Sequence, residues 1–282
     1  MSIATIIKEK NYSQRTNIIL EVISDFYFKY YMINNTKKIS SLLKDVILIE
    51  CGEEFLSFIS KNLIGMEQTG KILPEEIVRS SKGIFYSSPV IDYNQDGYTL
   101  IGSRNLVAIN IDTVDKTEEI IGLIAHELFF HAERAQNQEY KINGELITRK
   151  SGFCTEKGEL SRDSYGNPKV EWFEMENLGI EEALATHFEC EAVREITGNN
   201  EYSNTIRTYG PLLRIIRKWI ELEPNIINEL QLALTTLQIN ENLSLIFREL
   251  DNLIKLIYDG NVESFDLENK IIDLIKSRRK VR

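Results

Sequence analysis

Apolar positions in the first part of the chain fall at helical spacing. NIILEVISDFYFKYYMI (17–33) and SSLLKDVILIECGEEFLSFISKNLI (40–64) repeat hydrophobic residues every three or four positions, which lays one face of a helix against a core. Both are expected to be helices. Pro74, followed by Glu75 and Glu76, marks a further helix start, since proline is tolerated in a first turn and acids there complement the helix dipole. The pattern changes at residue 83. GIFYSSPVIDYNQDGYTLIGSRNLVAINID (83–112) is rich in aromatic and β-branched residues and is punctuated at Asn94–Gly97 and Ser103–Asn105. It predicts an antiparallel meander with strands near 84–93, 98–102 and 106–111.

Helical spacing then returns. Thr113 or Asp115 is the expected cap of a helix running to about residue 138, with Glu118 and Glu119 in its first turns. Its middle, IIGLIAHELFFHA, is apolar nearly all round and so belongs in the interior. Residues 140–178 are polar and turn-rich, with Asn143-Gly144, Gly152, Gly158 and Gly166-Asn167-Pro168; they read as a long excursion carrying a short hairpin. Helices are expected at about 179–196, 203–222, 225–257 and 265–280, with Gly210-Pro211 kinking or restarting the second. No repeat, low-complexity segment or linker divides the chain. One domain over 1–282 is expected, with a helical region at 1–70, a core at 75–215 and C-terminal helices at 216–282.

Composition adds exclusions. The chain is 43% hydrophobic and 27% charged, ordinary for a globular protein with a sizeable core. A net charge of −10 argues against a nucleic-acid partner, because phosphate binding needs a basic surface. Cys51, Cys154 and Cys190 are far apart and odd in number, which fits a reducing compartment better than a disulfide framework. The N-terminus lacks the basic start and apolar run of a secretory signal, and no stretch is long and apolar enough for a membrane span. These features lead to an expected cytoplasmic location; a bacterial effector exported without a cleaved signal would read the same way.

The chemistry-bearing residues are few. Of three histidines, His126 and His131 lie in the most apolar helix beside Glu127. Burying two imidazoles and a carboxylate costs several kcal/mol unless they are paired or hold a metal. A second segment, ENLGIEEALATHFECEAV (176–193), opens a later helix with paired acids, Glu181 and Glu182. Zinc peptidases take two histidines from one helix and a glutamate from a later one, and use a carboxylate next to the first histidine to activate water. His126 and His131 are five positions apart, and on a regular α-helix that spacing leaves two side chains about 140° apart. A π-type turn holds roughly 4.4 residues and returns the fifth residue to within about 50° of the start, so a one-residue bulge between His126 and His131 is expected. The rival geometry keeps a straight helix and makes Glu127 and His131, four apart, the ligands.

HELFFHAER together with IEEALA resembles the tyrosine carboxypeptidase-like metallopeptidases, the QEGLA-motif family, whose first motif is His-Glu-x-x-x-His. His126, Glu127 and His131 match that motif, with Arg134 at its arginine and Asn137 near its asparagine; Glu181 to Ala185 match the second. The family's glycines are Phe129 and Ala183 here. The resemblance is specific in the two motifs, general over about 75–215, and implies an α+β, predominantly α-helical, zincin (gluzincin)-like fold with a small antiparallel sheet beside the zinc helix. It implies one Zn2+ held by His126, His131 and Glu182, Glu127 as general base, and a peptide or protein substrate, including its C-terminal tail. Arg207 and Tyr209 fall where the family carries an Arg/Tyr-containing helix near the substrate. Arg134 and Glu181 are read as supports of the zinc site, and His187 as a support, a further ligand or a core contact. Two alternatives stay open: a zinc-binding relative that binds peptides without cleaving them, and a helical protein whose His/Glu network binds no metal.

Overall fold

The computed structural model describes residues 22, 46–51, 83–94, 97–110, 116–132, 138–162, 164, 166, 168–206, 208–236, 241–259 and 265–281. The expected helices at 17–33 and from Pro74, the cap candidates Thr113 and Asp115, and residues 133–137 lie outside this set, apart from helical Val22.

Within the stretch 40–64, Val46–Cys51 is a strand, β1, not part of a helix. VILI is an unbroken run of apolar, mostly β-branched residues. Over so short a length a helical reading of the spacing competes with a buried strand. β2 (Gly83–Asn94) and β3 (Gly97–Asn110) form one long hairpin. The expected break at Ser103–Asn105 does not occur: these three residues pair with Ser87, Ser88 and Pro89. A register shift at Val90/Ile91 absorbs the irregularity instead, as a bulge does. β1 pairs in parallel with β3, so this sheet has the order β1-β3-β2 and is mixed. The all-antiparallel meander is corrected accordingly: a parallel neighbour needs a long crossover, which local turn signals do not reveal.

α1 (Thr117–Leu123) begins after Lys116 with no side-chain cap, and has Glu118 and Glu119 in its first turn. It runs directly into a π-helix, Ile124–Ala132.

Residues 139–176 are not a loop with a short hairpin. They form a four-stranded antiparallel sheet: β4 (Glu139–Asn143), β5 (Leu146–Ser151), β6 (Cys154–Arg162) and β7 (Pro168–Glu176), in sequential order. Gly144 and Gly152 open its two tight turns with φ of 64° and 59°, the positive φ that a hairpin turn beginning with glycine requires. Its strands escape a hydrophobicity reading because they carry charges on both faces. Its small apolar cluster, Ile147, Leu160 and Val170, packs with Ile91 and Tyr98 of the β2–β3 hairpin.

The helical half follows expectation more closely. α2 (Leu178–Thr197) is followed by a 3-10 turn (Tyr202–Thr205) and α3 (Gly210–Leu222), which restarts at Gly210-Pro211 with proline in its first turn. The expected helix at 225–257 is two, α4 (Ile226–Thr236) and α5 (Glu241–Tyr258), and α6 (Phe265–Val281) closes the described chain. The molecule is α+β with helices the larger part. α2 packs against α1, the π-helix, α3 and α5, and thirteen of its residues are buried. That makes α2 the central element on which the site is built. No helix among the described residues is long and apolar enough to cross a membrane.

Candidate metal centre

The sequence places an extra residue between His126 and His131, and the helix accommodates it by widening. The widening is nine residues of π-helix rather than a single-residue bulge. Its less favourable backbone is offset by burial: Ile124, Ala125, Leu128 and Phe130 are all at most 4% exposed. The widened turn brings the two imidazoles together, with ring centroids 4.9 Å apart.

α2 supplies the acids. Glu182 and Glu189 are seven residues, two helical turns, apart and so share a face. His126 is held between them. Its Nε2 lies 3.3 Å from Glu182 Oε2 and its Nδ1 lies 3.0 Å from Glu189 Oε2. The other oxygen of Glu182, Oε1, is 3.6 Å from His131 Nε2. Tyr202 donates its hydroxyl proton to Glu189 Oε1 at 2.7 Å. Tyr209 stacks on the His126 ring at 6.0 Å between centroids, with the planes 15° apart.

Two contacts set the position of α2 at its N-terminus. The backbone N–H groups of Asn177 and Gly179 donate to the carboxylate of Asp251 on α5, at 2.6 and 2.8 Å. Glu181 points away from the centre and accepts the backbone N–H of Phe153, in the β5–β6 turn. The choice between the paired acids is therefore made by the helix face: Glu182 turns to the histidines and Glu181 ties α2 to the four-stranded sheet.

His126, His131 and Glu182 offer ligand atoms that all lie within 4.8 Å of one another, so this group could hold a metal ion. Bonds of about 2.0–2.2 Å to a tetrahedral ion put neighbouring ligand atoms about 3.3 Å apart; the His126 and His131 Nε2 atoms lie 3.3 and 3.6 Å from Glu182, each from a different carboxylate oxygen, which is close to that spacing. The rival pairing of Glu127 with His131 is not the group the fold assembles. Glu127 is nonetheless in the field of the cluster. Burial raises its pKa against the pull of His126 and His131.

Burial pushes the pKa of His126 down, but its hydrogen bonds to Glu182 and Glu189 and the charge of Glu127 overcome this and hold it well above the ordinary value. Burial pushes Glu182 up, and the two histidines nevertheless hold it far below the usual carboxylate range. Three neighbouring carboxylates thus draw positive charge onto an imidazole. A divalent cation would supply that charge instead, and its binding would displace a proton from His126.

The remaining candidates fall apart in space or lie outside the description. Arg134 and Arg207 are outside the described residues, as is the side chain of Phe129. His187 is on α2 but not in the metal group. Burial, with Arg217 and Arg194 nearby, lowers its pKa to about 4, and its Nδ1 has no hydrogen-bond partner among the described residues. Ala183, in place of the motif glycine, is a packed core residue at 1% exposure. Sequence reasoning missed Glu189 and Tyr202. The seven-residue interval from Glu182 was the available signal for Glu189; Tyr202 had none.

No protein-family model, curated protein or solved structure matches the chain. The resemblance rests on the two sequence motifs alone.

Proposed function

We propose that the chain is a zinc-dependent metallopeptidase of the tyrosine carboxypeptidase-like kind, with a zincin-like core, acting on a peptide or protein chain and including its C-terminal tail. One observation carries the reading. Two imidazoles from one widened helix and a carboxylate from another offer ligand atoms within 4.8 Å of one another, with Nε2 of each ring turned to that carboxylate, while the far nitrogen of His126 is engaged by a buried acid. Two neutral imidazoles and one carboxylate suit Zn2+ and leave a coordination position open. Held by His126, His131 and Glu182, a zinc ion would supply Lewis-acid polarisation of the scissile carbonyl and of a water molecule at neutral pH.

The chain's own residues do the rest. Glu127 follows the first histidine, and its pKa, raised by burial, suits a group that takes a proton from water and passes it to the leaving amine. Glu182 supplies the negative ligand, and His126 is presented with Nε2 forward. Tyr209, on the face of His126, borders the position where substrate would lie and is assigned to substrate contact.

Elemental analysis of protein purified without chelators is expected to give about one zinc per chain. Peptides ending in aromatic residues, followed by mass spectrometry, are expected to be shortened by wild-type protein. Glu127→Gln should keep its zinc and lose about 10²–10⁴-fold in rate. Metal-free wild-type protein would refute the metal reading. Zinc-loaded protein whose Glu127→Gln variant cleaves at the wild-type rate would refute the mechanism. Zinc without any cleavage would leave a peptide-binding relative.

A further inference from the structure

Glu189, Tyr202 and Gly122 lie outside both sequence motifs, yet they meet behind the first histidine. His126 Nδ1 is 3.0 Å from Glu189 Oε2 and cannot also face a metal. In a neutral ring that donates its Nδ1 proton to that carboxylate, the lone pair is on Nε2, the atom that faces Glu182. A carboxylate in this place fixes both the ring orientation and the tautomer, and makes the nitrogen opposite a stronger donor. Glu189 is itself held, because Tyr202 donates to its other oxygen at 2.7 Å. Both residues are buried, at 7% and 6% exposure. Only one of the two carboxylate oxygens is therefore turned to His126.

Gly122 is the third part. A Cβ built on it would overlap the Tyr202 hydroxyl and come within 2.9 Å of Glu189 Oε1. It lies one turn before His126 in the same continuous helix. Any larger residue there would push the Tyr202 hydroxyl and the Glu189 carboxylate away from each other or from the histidine. Glycine in a helix interior costs roughly 0.5–1 kcal/mol relative to alanine, so its presence here points to a need for space. The backbone of α1 thus closes a pocket around the hydrogen bond that orients Glu189.

We propose that Glu189 and Tyr202 act as one positioning pair, seated against Gly122, which presents His126 to the metal through Nε2 and sets the affinity of the site. This rests on the zinc reading above. Neither residue touches the metal or the substrate. Their effect passes through His126, and the pair couples the middle of α2 and the 3-10 turn to the metal.

The test is zinc affinity, measured by competition with a chromophoric chelator, for wild type, Glu189→Gln, Tyr202→Phe and the double variant. Each is paired with the melting temperature of the chelator-treated protein and the 15N imidazole shifts of His126. Glu189→Gln is expected to bind zinc about 10–100-fold more weakly, and Tyr202→Phe less weakly in the same direction. The double variant should be no worse than Glu189→Gln, since a single unit is lost once. The 15N shifts should show a well-defined Nδ1–H form in zinc-loaded wild type and a disturbed one in Glu189→Gln. Wild type that binds no zinc would end the metal reading and this proposal with it. If wild type binds zinc, Glu189→Gln with wild-type affinity would overturn the pair alone. So would losses that add in the double variant, or a loss matched by an equal destabilisation of the metal-free protein.

Discussion

At the scale of single residues, two neighbouring glutamates have opposite fates. Glu181 and Glu182 are adjacent and both are buried, yet one meets the histidines and the other accepts the Phe153 N–H. Each should fail in its own way. Glu182→Gln should purify with little zinc, measured by elemental analysis, because an amide is a poor replacement for the anionic ligand. Glu181→Ala should keep its zinc and lose about 1–3 kcal/mol of stability in urea denaturation, because it leaves a buried backbone N–H without its acceptor. If Glu181→Ala loses the metal and Glu182→Gln keeps it, the assignment is reversed. Motif comparison alone had named Glu182. The helical face supplies the physical reason, and it also shows why Glu189 belongs to the site although it is outside both motifs.

At the scale of elements, the site is a meeting of two helices, and its precision depends on how each is held. The π-helix carries both histidines because the sequence has one residue more than an α-helical pairing allows. α2 carries Glu182 and Glu189, and it is seated by contact with α5. A Cβ on Gly179 would overlap the backbone carbonyl of Leu250, so the two helices approach as closely as backbones can. Gly179→Ala should therefore force them apart at a cost of about 1–3 kcal/mol, read from the urea midpoint. Zinc affinity should fall with it, because Glu182 is less than one turn further along α2. Unchanged stability in this variant would mean that the close approach is not required. This constraint was not legible in the chain. Gly179 reads locally as a residue at a helix start, and its partner is about seventy positions later.

At the scale of the whole molecule, stability is coupled to pH through a half-buried histidine away from the candidate metal site. His187 is held neutral down to about pH 4, whereas an unfolded chain protonates at about 6.5. Between these values the unfolded state binds more protons, so stability rises with pH and is lost as pH falls. Between pH 7 and 5 this one residue should remove about 2 kcal/mol. Urea denaturation of chelator-treated protein checks it: wild type should lose about that much more than His187→Leu over the same interval. Parallel losses in the two proteins would show that His187 does not set the slope.

Much of the helical framework follows from local pattern. The run IIGLIAHELFFHA, the restart at Gly210-Pro211 and α6 are all places where a helix is legible within one segment. The five-residue interval between His126 and His131 also determined, without any structure, that a regular helix could not bring both rings to one side. Contacts between distant segments are what the chain could not declare. β1 finds a parallel partner some sixty residues away, and the charged strands of 139–176 form a sheet that rests on the β2–β3 hairpin. Tyr202 reaches back to support His126 through Glu189. Periodicity records which face of an element is buried, and a motif records which ligands a metal needs. Neither records what packs behind a ligand, because that depends on the crossing of α1, the π-helix and α2, which only the folded core determines.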